Sequence, residues 1–283
     1  MAVAFASRFS IEATRPTAAE IGELAAILPR GTPIYFSAVP TLTQRDIVAA
    51  ALSLRQAGLE PVIHIAARRV ASAGDLQELL AALRGEAGVR RLLVIGGDID
   101  AVGPFADALA VIQKARLREA GIEDIGIGGY PEGHPRIPLG RLEASLDEKI
   151  ASATAQGLKV HIVSQFSFSA DRIIAWLKQL RAGGIKVPVK IGLAGPTSVP
   201  ALMRYAKRCG VSASLRGLMS GAATALIGNV GPDRILDALA QAHDGLGDVQ
   251  PHYFSFGGLI ATARYAQDKA DKEIAAPASA SSR

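Results

Sequence analysis

Short continuous apolar runs alternate with amphipathic stretches along almost the whole chain. Phe9-Ser10-Ile11-Glu12-Ala13 is the first run; after Pro16, Ala18 to Leu28 repeats apolar positions at helical spacing, with Thr17 placed to cap it. Pro33 to Val39 then reads as a strand, and Arg45 to Ala57, capped near Thr43 and closed by Gly58, as a helix. The alternation continues through strands at Pro61 to Ala66, Arg91 to Gly97, Ile125 to Ile127, Val160 to Ser164, Val187 to Gly192 and His252 to Phe256. The intervening helices are expected at Asp75 to Leu83, Phe105 to Ala120, Leu142 to Ala155, Ala170 to Ala182, Val199 to Cys209, Leu215 to Gly228 and Pro232 to His243, with a last one from Leu259 to about Lys269.

Each strand is a continuous apolar run, the pattern of strands covered on both faces. About eight of them, each followed by a helix and with an extra helix before the last, predict a (β/α)8 TIM barrel. A doubly wound sheet is the alternative, but Glu12-Ala13-Thr14-Arg15-Pro16 stands where its glycine fingerprint belongs. Gly126-Ile127-Gly128-Gly129 has the wrong spacing for that motif, and no Walker-type phosphate loop occurs. Residues 1–272 read as one barrel domain, and 273–283, small and polar, as a disordered tail.

Of 283 residues, 49% are hydrophobic and 20% charged, enough for one large core. The net charge of +5 is spread in mixed sign without a basic block, which argues against nucleic acid and fits a modest anionic ligand. A single cysteine, Cys209, excludes an internal disulfide or a cysteine-based metal cluster and suits a reducing compartment; a small buried hydrophobe is its simplest role. The apolar start Met1 to Ala6 is too short for a signal peptide, and no run approaches the roughly 18 residues of a membrane span, so a cytoplasmic protein is expected.

Ile125-Gly126-Ile127 empties into Gly128-Gly129-Tyr130-Pro131-Glu132-Gly133-His134-Pro135, either a Pro-braced surface turn or a rigid loop built to hold a site. In a barrel the C-terminal strand ends share one site, so Glu12, Ser37, His64, Asp98, Tyr130, His134 and Gln165 are read together. Two carboxylates facing one cavity, Glu12 and Asp98, would push their proton affinities apart, with Glu12 in the more apolar context as the general acid. Asp98 could instead cap the next helix, and His64 could bond a backbone carbonyl. Gly96 and Gly97 let a flat ligand approach the backbone. No His pair or His-carboxylate spacing of the usual metal-binding kind occurs.

These residues carry a resemblance. Gly129-Tyr130-Pro131-Glu132-Gly133-His134-Pro135 resembles the tyrosine-proline-glutamate-x-histidine-proline signature of the methylenetetrahydrofolate reductase family, flavin-dependent (β/α)8 barrels of one-carbon metabolism. Ser10-Ile11-Glu12, His64, Gly97-Asp98, Lys149, Ser164-Gln165-Phe166-Ser167-Phe168 and the closing strand His252 to Phe256 match the family in the same order. The resemblance implies that His64, Gly96, Gly97, Asp98, Gly129, Tyr130, His134 and Lys149 hold FAD or FMN, with His134 and Lys149 near its phosphates. Gln165, Asp98 and Phe168 would contact the folate, and Glu12 would protonate the folate nitrogen. NADH or NADPH would be the electron donor, and a homo-oligomer is expected.

Three departures stand out: Gly96 where the family has arginine, Ala13-Thr14-Arg15-Pro16 where it has a double phenylalanine and proline, and Gly257-Gly258 where it has asparagine-arginine. Arg15 or Arg68 could supply a displaced cation, or each could be a solvated surface charge. Two other functions compete: a Schiff-base lyase using Lys190 or Lys159, and a barrel that binds folate or flavin without turnover.

Overall fold

A computed structural model of the chain describes residues 5–37, 39, 41–209, 229–242 and 245–275. Eight parallel strands close into a barrel: β1 (Ser10–Ala13), β2 (Pro33–Phe36), β3 (Glu60–Ala66), β4 (Arg91–Ile95), β5 (Asp124–Gly129), β6 (Lys159–Ser164), β7 (Val189–Ala194) and β10 (Val249–Phe254). They follow one another around the wall, and β1 pairs with β10 to close it. Two short strands, β8 (Thr197–Ser198) and β9 (Asn229–Val230), form a separate antiparallel pair. The TIM barrel expected from the alternation is therefore the observed fold, and the doubly wound sheet is not.

Side chains alternate along each strand, and the two faces differ in chemistry. Ile11, Ile34, Phe36, Ile63, Ile65, Leu92, Val94, Ile125, Ile127 and Tyr253 belong to the large apolar layer between barrel and helices. At about 1.5–3 kcal/mol for each large side chain fully buried, this layer is the main source of stability. The inward face has a thinner apolar set, Tyr35, Val62, Leu93 and Val163. Polar side chains stand among them.

These polar side chains have a definite order. Tyr35 Oη lies 2.6 Å from His161 Nε2, and His161 Nδ1 lies 2.8 Å from Asp124 Oδ1. Gly126 makes room for the imidazole, since a Cβ there would stand 2.8 Å from His161 Nε2. Nearby, Lys190 Nζ donates to Gln250 Oε1 at 3.1 Å, and burial, reinforced by the Arg91 charge, pulls the amine down to about 8.

The helices are α1 (Ala18–Ile27), α2 (Gln44–Gln56), α3 (Ala73–Ala87), α4 (Ala108–Lys114), α5 (Leu139–Ala155), α6 (Ala170–Ala182) and α7 (Val199–Cys209), then Asp233–Gln241 and Leu259–Ala275. Thr17 and Thr43 both form capping boxes, as their positions suggest. The expected helix at Phe105 to Ala120 is shorter than its periodicity implied. Asp107 accepts from Ala110 N at 2.9 Å and starts α4 late, and Arg116, at φ 44°, turns the chain out soon after Lys114. Phe105 is instead a buried core residue ahead of the helix. The last helix runs to Ala275, past the expected end near Lys269 and into the first residues expected to be tail. The expected helix at Leu215 to Gly228, the side chain of Cys209 and residues 276–283 lie outside the described residues. Among the described residues no helix is long and apolar enough to cross a membrane.

Candidate functional site

Above the barrel interior, the C-terminal strand ends open into a cavity of about 1030 Å³. Glu12, His64, Gly96, Gly97, Asp98, Gly129, Tyr130, His134, Lys149 and Gln165 all line it, though they come from six parts of the sequence. Phe168 is the exception. It packs edge-on against Phe166, in an aromatic cluster with Tyr205, Phe254 and Phe256, of which only Phe254 reaches the cavity wall.

Glu12 sits near the end of β1. Ser37, just past β2, donates its hydroxyl to Glu12 Oε1 at 2.6 Å; His252 Nε2 and His64 Nε2 lie 3.5 and 3.8 Å from Oε2. Burial pushes the carboxyl up, but the His64 charge, the His252 contact and the Ser37 hydroxyl together bring it below the ordinary carboxylate value. This corrects the expectation of a Glu12 held as an acid by repulsion from Asp98. The groups facing Glu12 are two imidazoles and a hydroxyl. His64 Nε2 is buried without a hydrogen-bond partner, so the backbone-bonded alternative does not hold for that nitrogen.

Asp98 is exposed at the cavity rim, and Arg69 reaches it from the loop after β3, with Nη2 2.6 Å from Oδ1. Arg69 thus sets a cation beside the aspartate from a neighbouring strand's loop. Asp98 does not cap a helix; Asp107 does. Arg68 also lines the cavity, with Nε donating to Ala106 O at 2.8 Å, whereas Arg15 bonds Thr41 on the surface. A Cβ on Gly96 would meet nothing within 4 Å, so this position leaves cavity space for a ligand. Gly129 is glycine for a different reason: a Cβ there would stand 2.6 Å from Ile162 and 2.8 Å from Trp176. Gly257, where the family has the asparagine, is likewise fixed by packing, because a Cβ would fall 2.1 Å from Pro196 O.

Across the cavity, Tyr130 stands edge-on to His134 with ring centres 5.3 Å apart. Burial raises the Tyr130 phenol, while burial together with the Arg136 and Arg68 charges lowers the His134 imidazole. Lys149, on α5, is only 8% exposed; burial lowers its amine while Asp107 opposes the shift. Lys149, Arg68 and Arg136 give this side a cationic lining suited to phosphate, with His134 beside them. Gln165 Oε1 accepts from Phe166 N at 3.1 Å, which fixes its amide at the end of β6.

His252 was legible in the sequence only as part of the closing strand, not as a site residue. The signal was its two-residue offset from Phe254, which puts both on the inward face. Lys190 and Lys159 do not line the cavity, so the lyase alternative loses both of its amines. Among the described residues no group of three or more His, Cys, Asp or Glu could hold a metal ion.

Comparison with known proteins identifies the family. The family model for methylenetetrahydrofolate reductase matches residues 12–216. Methylenetetrahydrofolate reductase 2 of Saccharomyces cerevisiae is 28% identical over 172 residues, covering 57% of this chain and 27% of the yeast protein. The 5,10-methylenetetrahydrofolate reductase of Pectobacterium carotovorum subsp. carotovorum is 25% identical over 122 residues, 43% of this chain and 39% of that one. The chain thus spans well under half the length of these relatives. Among solved structures, dihydropteroate synthase from Thermus thermophilus has a TM-score of 0.51 at 14% identity, covering 94% and 93% of the two chains, which shows the shared barrel fold. The family match takes in β1 to β7, from the strand-end glutamate through the tyrosine-to-histidine loop, and the chain belongs to the methylenetetrahydrofolate reductase family.

Proposed function

We propose that the protein is a flavin-dependent oxidoreductase interconverting 5,10-methylenetetrahydrofolate and 5-methyltetrahydrofolate, with NADH or NADPH as electron donor. The observation that carries this is Glu12, a carboxylate at the floor of a strand-end cavity, held between Ser37 and two buried imidazoles. A flavin fits the residues present. Gly96 leaves open space where its ring would lie, and His134, Arg68 and the buried Lys149 line the same cavity for its phosphates. Bound there, the flavin would carry hydride between nicotinamide and the folate one-carbon unit.

The chain's own residues supply positioning and a proton. Ser37 fixes one carboxylate oxygen of Glu12 and leaves the other toward the imidazoles. Glu12 is ionised in the open cavity. A ring system filling the cavity expels water and strengthens burial, already the largest single influence on this carboxyl, so Glu12 takes up a proton as the ligand closes over it. It then delivers that proton to the folate nitrogen released as the methylene bridge opens. Asp98, oriented by Arg69, and Gln165 would bond the polar edge of the pterin.

The test is the visible spectrum of the purified protein, followed anaerobically by reduced nicotinamide and then methylenetetrahydrofolate, with the product identified by mass. A flavin band that bleaches and returns as 5-methyltetrahydrofolate forms is the expected result. A colourless protein that takes up neither FAD nor FMN overturns the assignment.

A further inference from the structure

Beneath Glu12 lie two residues whose hydrogen arrangement the reaction above leaves open. Ser10 and His252 are register partners across the β1 and β10 seam, and both are fully buried. Ser10 Oγ lies 2.9 Å from His252 Nδ1, and His252 Nε2 lies 3.5 Å from Glu12 Oε2. The ring is held laterally as well, edge-on to Tyr35 at 4.7 Å and to Phe254 at 5.1 Å. The titratable groups facing it are Glu12 from β1, Tyr35 from β2, His64 from β3 and Lys190 from β7.

The chemistry of the three groups leaves one hydrogen arrangement. An ionised carboxylate only accepts, so the nitrogen facing Glu12 must carry the hydrogen. Burial disfavours the charged imidazole despite the nearby carboxylate, so the ring is neutral and its other nitrogen is bare. Ser10 must then donate to Nδ1. We propose that Ser10 and His252 are positioning residues for Glu12: Ser10 locks His252 in the tautomer with hydrogen on Nε2, and that N–H holds the Glu12 carboxylate as an acceptor until a ligand arrives. At 3.5 Å the second contact is long, as catalytic hydrogen bonds often are before a ligand tightens them. The task assigned to Glu12 rests on the proposed function, but the hydrogen arrangement does not depend on turnover.

The experiment is nuclear magnetic resonance of the full chain with labelled histidine ring nitrogens and labelled glutamate carboxyl carbons. Signals are assigned by loss in the conservative His252→Gln and in Glu12→Gln. In the wild-type protein, His252 should show one neutral tautomer, protonated at Nε2, across neutral pH. Ser10→Ala should convert it to a mixture, and His252→Leu should raise the proton affinity of Glu12 at least tenfold. The limb on which kcat/KM falls with rising pH should move to higher pH in Ser10→Ala, a change that loosened packing alone would not produce. His252 ring signals unaltered by Ser10→Ala overturn the proposal; this variant decides the matter even where His252→Leu does not fold. A Glu12 titration unchanged in a folded His252→Leu overturns it too. Absence of turnover in a wild-type protein with the expected tautomer would count against the proposed reaction alone.

Discussion

Replacing His161 by leucine removes both nitrogens that join Tyr35 to Asp124 inside the barrel while roughly conserving volume. Tyr35, 1% exposed, is left with a buried hydroxyl and no partner, which costs about 1–3 kcal/mol. Asp124 loses its 2.8 Å contact and keeps Arg91 at 3.8 Å, a further cost of roughly 1–2 kcal/mol for a hydrogen bond to a charged group. Better burial of the leucine returns about 1 kcal/mol. The net destabilisation should be about 1–4 kcal/mol, at roughly 2–4 °C of Tm per kcal/mol in a domain of this size. Tyr35→Phe alone should cost about 1 kcal/mol, and the double variant less than the sum of the singles by about 1 kcal/mol, since both remove one shared bond. Burial pushes the Asp124 carboxyl up, but the His161 hydrogen bond and charge bring it below its ordinary value. A depressed folded value contributes stability that is present above the unfolded carboxylate range and lost as pH falls through the folded value. The gap between wild type and His161→Leu should therefore be full at neutral pH and narrow below about pH 4. Urea unfolding across pH measures all of this. A loss under about 0.5 kcal/mol, or singles that simply add, would show that the network does not hold the barrel interior.

Three further outcomes follow from the geometry. Gly129→Ala should destabilise by about 1–3 kcal/mol in thermal unfolding, because its Cβ collides with Ile162 and Trp176, and Trp176→Phe should recover part of the loss. Lys190, buried and lowered to about 8 against 10.5 for the free side chain, makes the unfolded chain hold more protons between those values. Wild-type stability should rise with pH across that window, and Lys190→Met should flatten the rise; an unchanged slope refutes the assignment. Lys149→Met should weaken flavin retention at least tenfold with unfolding little changed, checked by flavin titration and by calorimetry.

The fold was legible because burial on both faces of a parallel strand leaves a continuous apolar run, and every run such as Leu92 to Ile95 or Val160 to Val163 marked a strand. Helix ends were less legible. The start of α4 depends on Asp107 and its close on the left-handed Arg116, neither of which disturbs the apolar periodicity from Phe105 onward. Strand-end polar residues were readable as a group, since the barrel brings them to one cavity whatever their separation in sequence. Their partners were not. Nothing local to Asp98 points to Arg69, and nothing local to Glu12 points to His252, because the first pairing joins the loops after β3 and β4 and the second crosses the β1–β10 seam. Gly257 shows the same limit, fixed by a close approach to Pro196 O.

The most direct test of the central claim is to follow both half-reactions in Glu12→Gln, a substitution that keeps the volume and removes the proton. Nicotinamide should still bleach the flavin band at close to the wild-type rate. Its return on addition of methylenetetrahydrofolate should slow by about 10²–10⁴, the range for loss of a general acid. Reoxidation by methylenetetrahydrofolate within tenfold of wild type would contradict the account of Glu12 as the proton donor in this cavity.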